Sequence, residues 1–162
     1  ALASYKDGSY SEMNNILRNG QPRYGSATDA AHYRRLNDRV ERSFSFAEPI
    51  GRPMEVFRGT SSQNVYREFQ NLKVGDVITD KGFVSTSTSV STAHSNFGSG
   101  SFRTLMNINL PGETKGVWLD AIASPHEYEF LLNKDATFVV KDIKIEKTRY
   151  QDTIRIWLEY VP

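Results

Sequence analysis

Apolar residues recur at helical spacing toward the N-terminus and at alternate positions further on. Tyr10, Met13 and Leu17, with Ile16 beside them, mark one face of a short amphipathic helix closed by Asn19-Gly20. Ser26 and Asp29 have the spacing of a capping start, and behind them Tyr33, Leu36 and Val40 line one face of a second helix. Arg34, Arg35, Asp38, Arg39 and Arg42 take its other side, which reads as a solvated face rather than a binding patch. Pro49 and Pro53 break the pattern. Met54-Glu55-Val56-Phe57-Arg58-Gly59-Thr60 follows as a short strand, and Val65, Phe69 and Leu72 predict a third helix.

The periodicity then changes. Val77-Ile78-Thr79 and residues 82–88 read as strands around an Asp80-Lys81 turn. A polar, glycine-bearing segment, 91–100, carries one aromatic, Phe97. Thr104, Met106, Ile108 and Leu110 alternate as one face of a strand, and Val117-Trp118-Leu119 begins another. Strands over 130–132, 137–140, Ile143 with Ile145, and 154–160 complete a β-rich half. Helices early and strands late predict an α+β domain, its helices packed on a mostly antiparallel two-sheet sandwich. No repeat or linker divides the chain, so residues 1–162 read as one domain.

Composition narrows the function classes. Hydrophobic residues make up 38% and charged residues 24%, enough apolar material for a folded core. A net charge of +1 gives no reason to expect a nucleic-acid partner. With no cysteine, disulfides and thiolate chemistry are excluded. No apolar run reaches membrane-spanning length. The opening residues, Ala1 to Lys6, have neither the basic lead nor the apolar core of a signal peptide. The chain does not begin with methionine, and an excised or processed domain is the expectation.

Several chemistries fail on spacing. His32, His94 and His126 are scattered and give no metal-ligand pattern, so no metal is expected. Gly98-Ser99-Gly100 lacks the third glycine of a dinucleotide fingerprint. The run Ser85-Thr86-Ser87-Thr88-Ser89 contains no nucleophile elbow, and alone reads as strand hydroxyls bonded to backbone. Glu127 and Glu129 flank Tyr128 where an apolar strand starts. In an extended chain residues i and i+2 share a face, so the two acids would point the same way and could polarise two groups at once. An ordinary strand with one solvated face has the same pattern.

Three features stand in order: Phe57-Arg58-Gly59, Phe83-Val84-Ser85-Thr86-Ser87 and Glu127-Tyr128-Glu129. Together they resemble the mono-ADP-ribosyltransferase toxins of the arginine–STS–ExE branch, above all the enzymatic components of clostridial-type binary toxins and related insecticidal toxins. Residues 5–18 look like that family's leading helix. The resemblance implies that NAD is consumed as a cosubstrate, with nicotinamide released and ADP-ribose passed to a protein side chain. Departure of nicotinamide leaves an oxocarbenium-like centre that a carboxylate stabilises. Glu129 matches that carboxylate and would hold the ribose 2′-hydroxyl. Ser85 would bond to Glu129 and orient it, while Thr86 and Ser87 support the pocket wall. Arg58 matches the NAD-binding arginine, whose planar fork suits phosphate oxygens. Its alternative is a surface ion pair. Gly59 would let the backbone approach the nicotinamide amide, or is a turn glycine. Phe97 would stack on the nicotinamide ring, or anchor a loop.

By the same resemblance, Glu127 sets the acceptor. A free guanidinium is charged and a poor nucleophile, so a second carboxylate that attracts it and takes its proton points to transfer onto an arginine of a target protein. The loop before it, with Ala123, Ser124, Pro125 and His126, lacks the aromatic and glycines usual in binary-toxin relatives, where it touches the target. The target is therefore open, and actin is not assumed. A toxin or effector is expected, secreted or delivered to act in the cytoplasm of a target cell, as a monomer without nucleic-acid or membrane partners. The competing readings are a NAD glycohydrolase with water as acceptor and a noncatalytic β-sandwich binding module.

Overall fold

A computed structural model describes residues 2–95, 100–119 and 128–162. The chain opens with α1 (Leu2–Ser4), a π-helical stretch (Tyr5–Ser9) and α2 (Tyr10–Asn19). Gly20 ends α2 at φ 80°, a left-handed value that glycine adopts without a Cβ penalty, and its N–H closes on the Ile16 carbonyl. Next come α3 (Ala27–Phe44), β1 (Met54–Thr60), α4 (Gln63–Phe69), β2 (Val77–Asp80), β3 (Val84–Ser87) and α5 (Val90–Ser95). The remaining strands are β4 (Phe102–Leu110), β5 (Val117–Trp118), β6 (Glu129–Leu132), β7 (Ala136–Lys147) and β8 (Asp152–Val161).

The cap at Ser26 forms as the sequence predicts. Its hydroxyl accepts from the Asp29 N–H while Asp29 reaches back to the Ser26 N–H. Met13 and Ile16 are buried on α2, and Leu36, Val40 and Phe44 on α3. Tyr10, read as part of the apolar face, is exposed instead. Asn37 binds the two helices by donating to the Met13 carbonyl at 3.0 Å. The basic side of α3 is exposed at Arg34, Arg35, Arg39 and Arg42.

Strands pair in the order β2-β7-β8-β4-β1-β3-β6-β5. All neighbours are antiparallel except β4 with β8. The sandwich expected from the sequence takes the form of one hydrogen-bonded array with a seam. A five-stranded part ending in β1 meets a three-stranded part beginning with β3 at a single register pair, Phe57↔Ser87. The strands on either side of Asp80-Lys81 do not pair with each other. β2 lies at the far edge on β7, while β3 lies between β1 and β6. Residues 137–145, read as two pieces, form one long strand with an irregularity between Val140 and Asp142.

Three apolar clusters fix the arrangement. The largest joins one face of the five-stranded part to α4 and continues across the seam, with Val56, Tyr66, Phe69, Ile108 and Ile156 buried together with Val84, Phe130 and Leu132 of β3 and β6. A second packs α2, α3 and Tyr5 on Phe83, Leu119 and Leu131 of the three-stranded part. Phe44 stacks on Phe83 there, with ring centroids 6.0 Å apart. On the opposite face of β1 and β4, Ala93 of α5 meets Leu105 and Phe57. The second cluster sets the N-terminal helices over the seam.

Candidate active site

β1 and β4 run in full register, so Arg58 faces Met106 and Gly59 faces Leu105. Arg58 shares a sheet face with Val56, two residues earlier, which aims its guanidinium into the space beside the seam. There Nη1 donates to the Ser85 carbonyl at 2.9 Å. Burial lowers the guanidinium's affinity for its proton, and Asp80 opposes that shift.

β3 carries the three hydroxyls, with distinct partners. Ser85 Oγ lies 3.4 Å from the Tyr5 hydroxyl. Thr86 points to the other face, where its buried hydroxyl donates to the Phe130 carbonyl at 2.6 Å. Ser87 Oγ accepts from the Ser89 N–H at 3.0 Å, turning the chain into α5. Across the ladder, Ser87 stands opposite Glu129 and Ser85 opposite Leu131.

Glu129 opens β6, and the residue before it is not extended. Tyr128 has φ 47°, a left-handed value uncommon outside glycine, and its carbonyl accepts from the Thr88 N–H at 3.0 Å. The i, i+2 argument for a shared face therefore does not apply across Tyr128. Glu127, Ala123, Ser124, Pro125, His126 and Phe97 lie outside the described residues.

Arg58, Gly59, Ser85, Thr86, Ser87 and Glu129 all line one cleft of about 640 Å³. A second cleft of about 650 Å³ shares Tyr5, Tyr10, Arg58, Thr60 and Ser85 with it and continues past Asn14, Arg18 and Lys81. Sequence reasoning brought the first group together. It missed the roof. Tyr5, 2% exposed, packs its ring edge-on to Phe83 and receives a hydrogen bond from Asn14 Nδ2 at 3.0 Å. Burial raises the Tyr5 pKa. Asn14 Oδ1 in turn accepts from the Phe83 N–H at 2.8 Å. Lys6 Nζ lies 3.7 Å from Glu129 Oε2, both side chains being largely buried. Arg18 holds Asp80 through Nε and Nη2, at 2.8 and 2.9 Å. The available signal was Asn14, a polar residue between Met13 and Ile16 on the inner side of α2, where only a partnered group is buried cheaply.

Among the described residues this cleft has an acid, a guanidinium, an ammonium and a hydroxyl-bearing strand, groups that can hold a phosphorylated sugar and stabilise positive charge on it. Among the described residues no group of acids and histidines is disposed to hold a metal ion. No described helix is long and apolar enough to cross a membrane.

Comparison with known proteins agrees with that chemistry. No curated protein matches the chain in sequence. Among solved structures, Plx2a, an ADP-ribosyltransferase toxin from Paenibacillus larvae, superposes with a TM-score of 0.73 at 19% identity, over 99% of this chain and 84% of that one. Exoenzyme S from Pseudomonas aeruginosa, solved with human 14-3-3 protein beta and carba-NAD, gives 0.75 at 24% identity, over 98% and 70%. Vis from Vibrio splendidus, solved with agmatine, gives 0.75 at 20% identity, over 99% and 72%. The family model described as ADP-ribosyltransferase exoenzyme matches residues 1–160, and the chain belongs to that family.

Proposed function

We propose that this protein cleaves NAD and transfers ADP-ribose to an arginine of a target protein, acting as a toxin or effector in the cytoplasm of a target cell. The observation that carries the reading is the convergence of Arg58, Ser85 and Glu129 on one cleft at the seam in a member of the ADP-ribosyltransferase exoenzyme family. Two neighbours supply its chemical terms: exoenzyme S was solved with an NAD analogue, and Vis with agmatine, whose guanidinium has the form of an arginine side-chain end.

NAD supplies the ADP-ribosyl group: the bond from ribose C1′ to the nicotinamide nitrogen breaks, and positive charge develops at C1′. Glu129 accepts from a ribose hydroxyl and places its negative charge beside that centre. Arg58 directs donors at phosphate oxygens from the junction of the two clefts. Ser85 orients Glu129, Thr86 and Ser87 support the pocket wall, and Gly59 lines the same cleft without a side chain to fill it. Phe97 stacks on the nicotinamide ring. Glu127 draws in the acceptor guanidinium and takes its proton, and residues 123–126 meet the target.

The test uses labelled NAD with agmatine or cell lysate, reading released nicotinamide and label on the acceptor. Glu129→Gln is expected to lower both by about 10²–10³-fold. Glu127→Gln is expected to keep nicotinamide release and lose transfer. Release without label on either acceptor would make the protein a glycohydrolase. Absence of both release and NAD binding would overturn the reading.

A further inference from the structure

The ion pair between Lys6 and Glu129 is unexpected for a site that must stabilise positive charge. Lys6 Nζ stands 3.7 Å from Glu129 Oε2, with side-chain exposures of 9% and 16%. An ammonium so placed offsets the charge that the carboxylate would present to ribose C1′. Holding a long lysine side chain largely buried also costs rotamer freedom and hydration. The backbone is shaped for the contact. Lys6 sits in the π-helical stretch Tyr5–Ser9, and such single turns occur often at functional sites. Adjacent residues of this wide turn point in different directions, Tyr5 to Ser85 on β3 and Lys6 to Glu129 on β6.

We propose that Lys6 is a positioning residue: in the free protein its ammonium holds the Glu129 carboxylate charged and in the cleft, and yields it to a ribose hydroxyl when NAD binds. The proposal rests on the transferase reading of this site. The other groups facing Glu129 differ in kind. Tyr5 is a buried phenol engaged with Ser85 and Asn14, and Arg58, a second cation that acts on Glu129 through its charge, directs its Nη1 at the Ser85 carbonyl. Ser85 and Ser87 of β3 and Thr92 and Ser95 of α5 are uncharged. His94 on α5 is not part of the cleft lining, and Glu127 lies outside the described residues. Lys6 is therefore the described cation in direct ionic contact with the acid.

Exchange on binding has a kinetic signature. The pH profile of kcat/KM reports groups in the free enzyme and that of kcat reports groups in the bound complex. Nicotinamide release is measured from pH 4 to 9 for the wild type, Lys6→Met, Lys6→Gln and Lys6→Arg. Loss of the cation favours the protonated acid. For Lys6→Met and Lys6→Gln the acidic limb of kcat/KM is expected to move up by about one pH unit, with the kcat limb unmoved. Plateau kcat/KM is expected to fall about tenfold with kcat nearly constant, as when a group is held less well before binding. Lys6→Arg is expected to restore the limb. Two uncharged variants of different polarity separate lost charge from a folding defect in one of them. Limbs superimposed on the wild type would overturn the proposal, as would equal movement of both limbs or a faster plateau in the uncharged variants. A wild type that released no nicotinamide would instead overturn the transferase reading itself.

Discussion

Arg58 reaches across the seam of the sheet: its Nη1 donates to the main-chain oxygen of Ser85 at 2.9 Å, beside the single register pair Phe57↔Ser87. The arginine proposed to bind NAD therefore also ties the five-stranded part to the strand that carries the hydroxyls. A lysine keeps the charge but loses the planar fork, so it cannot hold the Ser85 carbonyl and present donors to a phosphate in the same geometry. Hydrogen bonds from charged groups contribute about 1.5–3 kcal/mol. Arg58→Lys is expected to lower kcat/KM for NAD about 10- to 100-fold and to reduce stability. Steady-state nicotinamide release and thermal unfolding check both parts.

Tyr5 links α2 to β3 through its hydroxyl, which receives Asn14 Nδ2 and lies beside Ser85 Oγ. Tyr5→Phe leaves a buried amide donor without that acceptor, at a cost of about 1–3 kcal/mol. The pH dependence follows from the raised Tyr5 pKa, caused chiefly by burial. The folded state holds this proton more tightly than the unfolded state, so the contribution to stability is full below the unfolded tyrosine value near about 10. It is lost as pH rises from there through the raised folded value. Thermal unfolding between pH 7 and 11 is expected to show a shallower alkaline fall for Tyr5→Phe than for the wild type.

How much of this was legible in the sequence depends on the range of the interactions. The capping box at Ser26 and the glycine stop at Gly20 are local, and the structure forms both. The alternation of Thr104, Met106, Ile108 and Leu110 marks β4. Pairing was not legible. Strands on either side of Asp80-Lys81 look like a hairpin, yet each finds its partner far along the chain: Ile78 of β2 packs on the largest cluster, while Phe83 beside β3 packs under the N-terminal helices. Tyr128 defeated the two-residue period: its left-handed φ breaks the strand before Glu129, and no local signal distinguishes such a tyrosine from a strand residue. The motif residues Arg58, Ser85 and Glu129 were readable as types in order. Tyr5 and Lys6 were not, since Ser85 and Glu129, which they meet, lie on strands far along the chain; Asn14 stood out only as a polar residue on the inner side of α2.

Thr86 separates structural from chemical roles within the hydroxyl run. Its hydroxyl is buried and donates to the Phe130 carbonyl at 2.6 Å, on the face of β3 away from Ser85 and Ser87. Valine keeps the shape and removes the donor. Thr86→Val is expected to destabilise by about 1 kcal/mol, a fall of roughly 2–4 °C in Tm for a chain of this size. Nicotinamide release at a temperature where both proteins are folded is expected to change less than for Ser85→Ala. The opposite order would place the chemistry on the wrong hydroxyl.

Gly116 controls the site from outside it. A Cβ at this position would run into the Phe130 ring and stand 2.9 Å from the Leu131 carbonyl. Phe130 cannot give way easily, being fully buried and packed against Trp118 with centroids 4.8 Å apart. Phe130 also follows Glu129 directly on β6, and β6 is held to β3 by the pairs Ser87↔Glu129 and Thr86↔Phe130. Relief of the clash must therefore shift the strand that presents the acid. Gly116→Ala is expected to cost about 1–3 kcal/mol, as overpacking does. It is also expected to lower kcat in protein that remains folded, by up to about 10²-fold for a displacement near 1 Å. Chemical denaturation and nicotinamide release on the same preparation check the pair of effects. Loss of stability with kcat unchanged would show that β6 absorbs the methyl without moving Glu129.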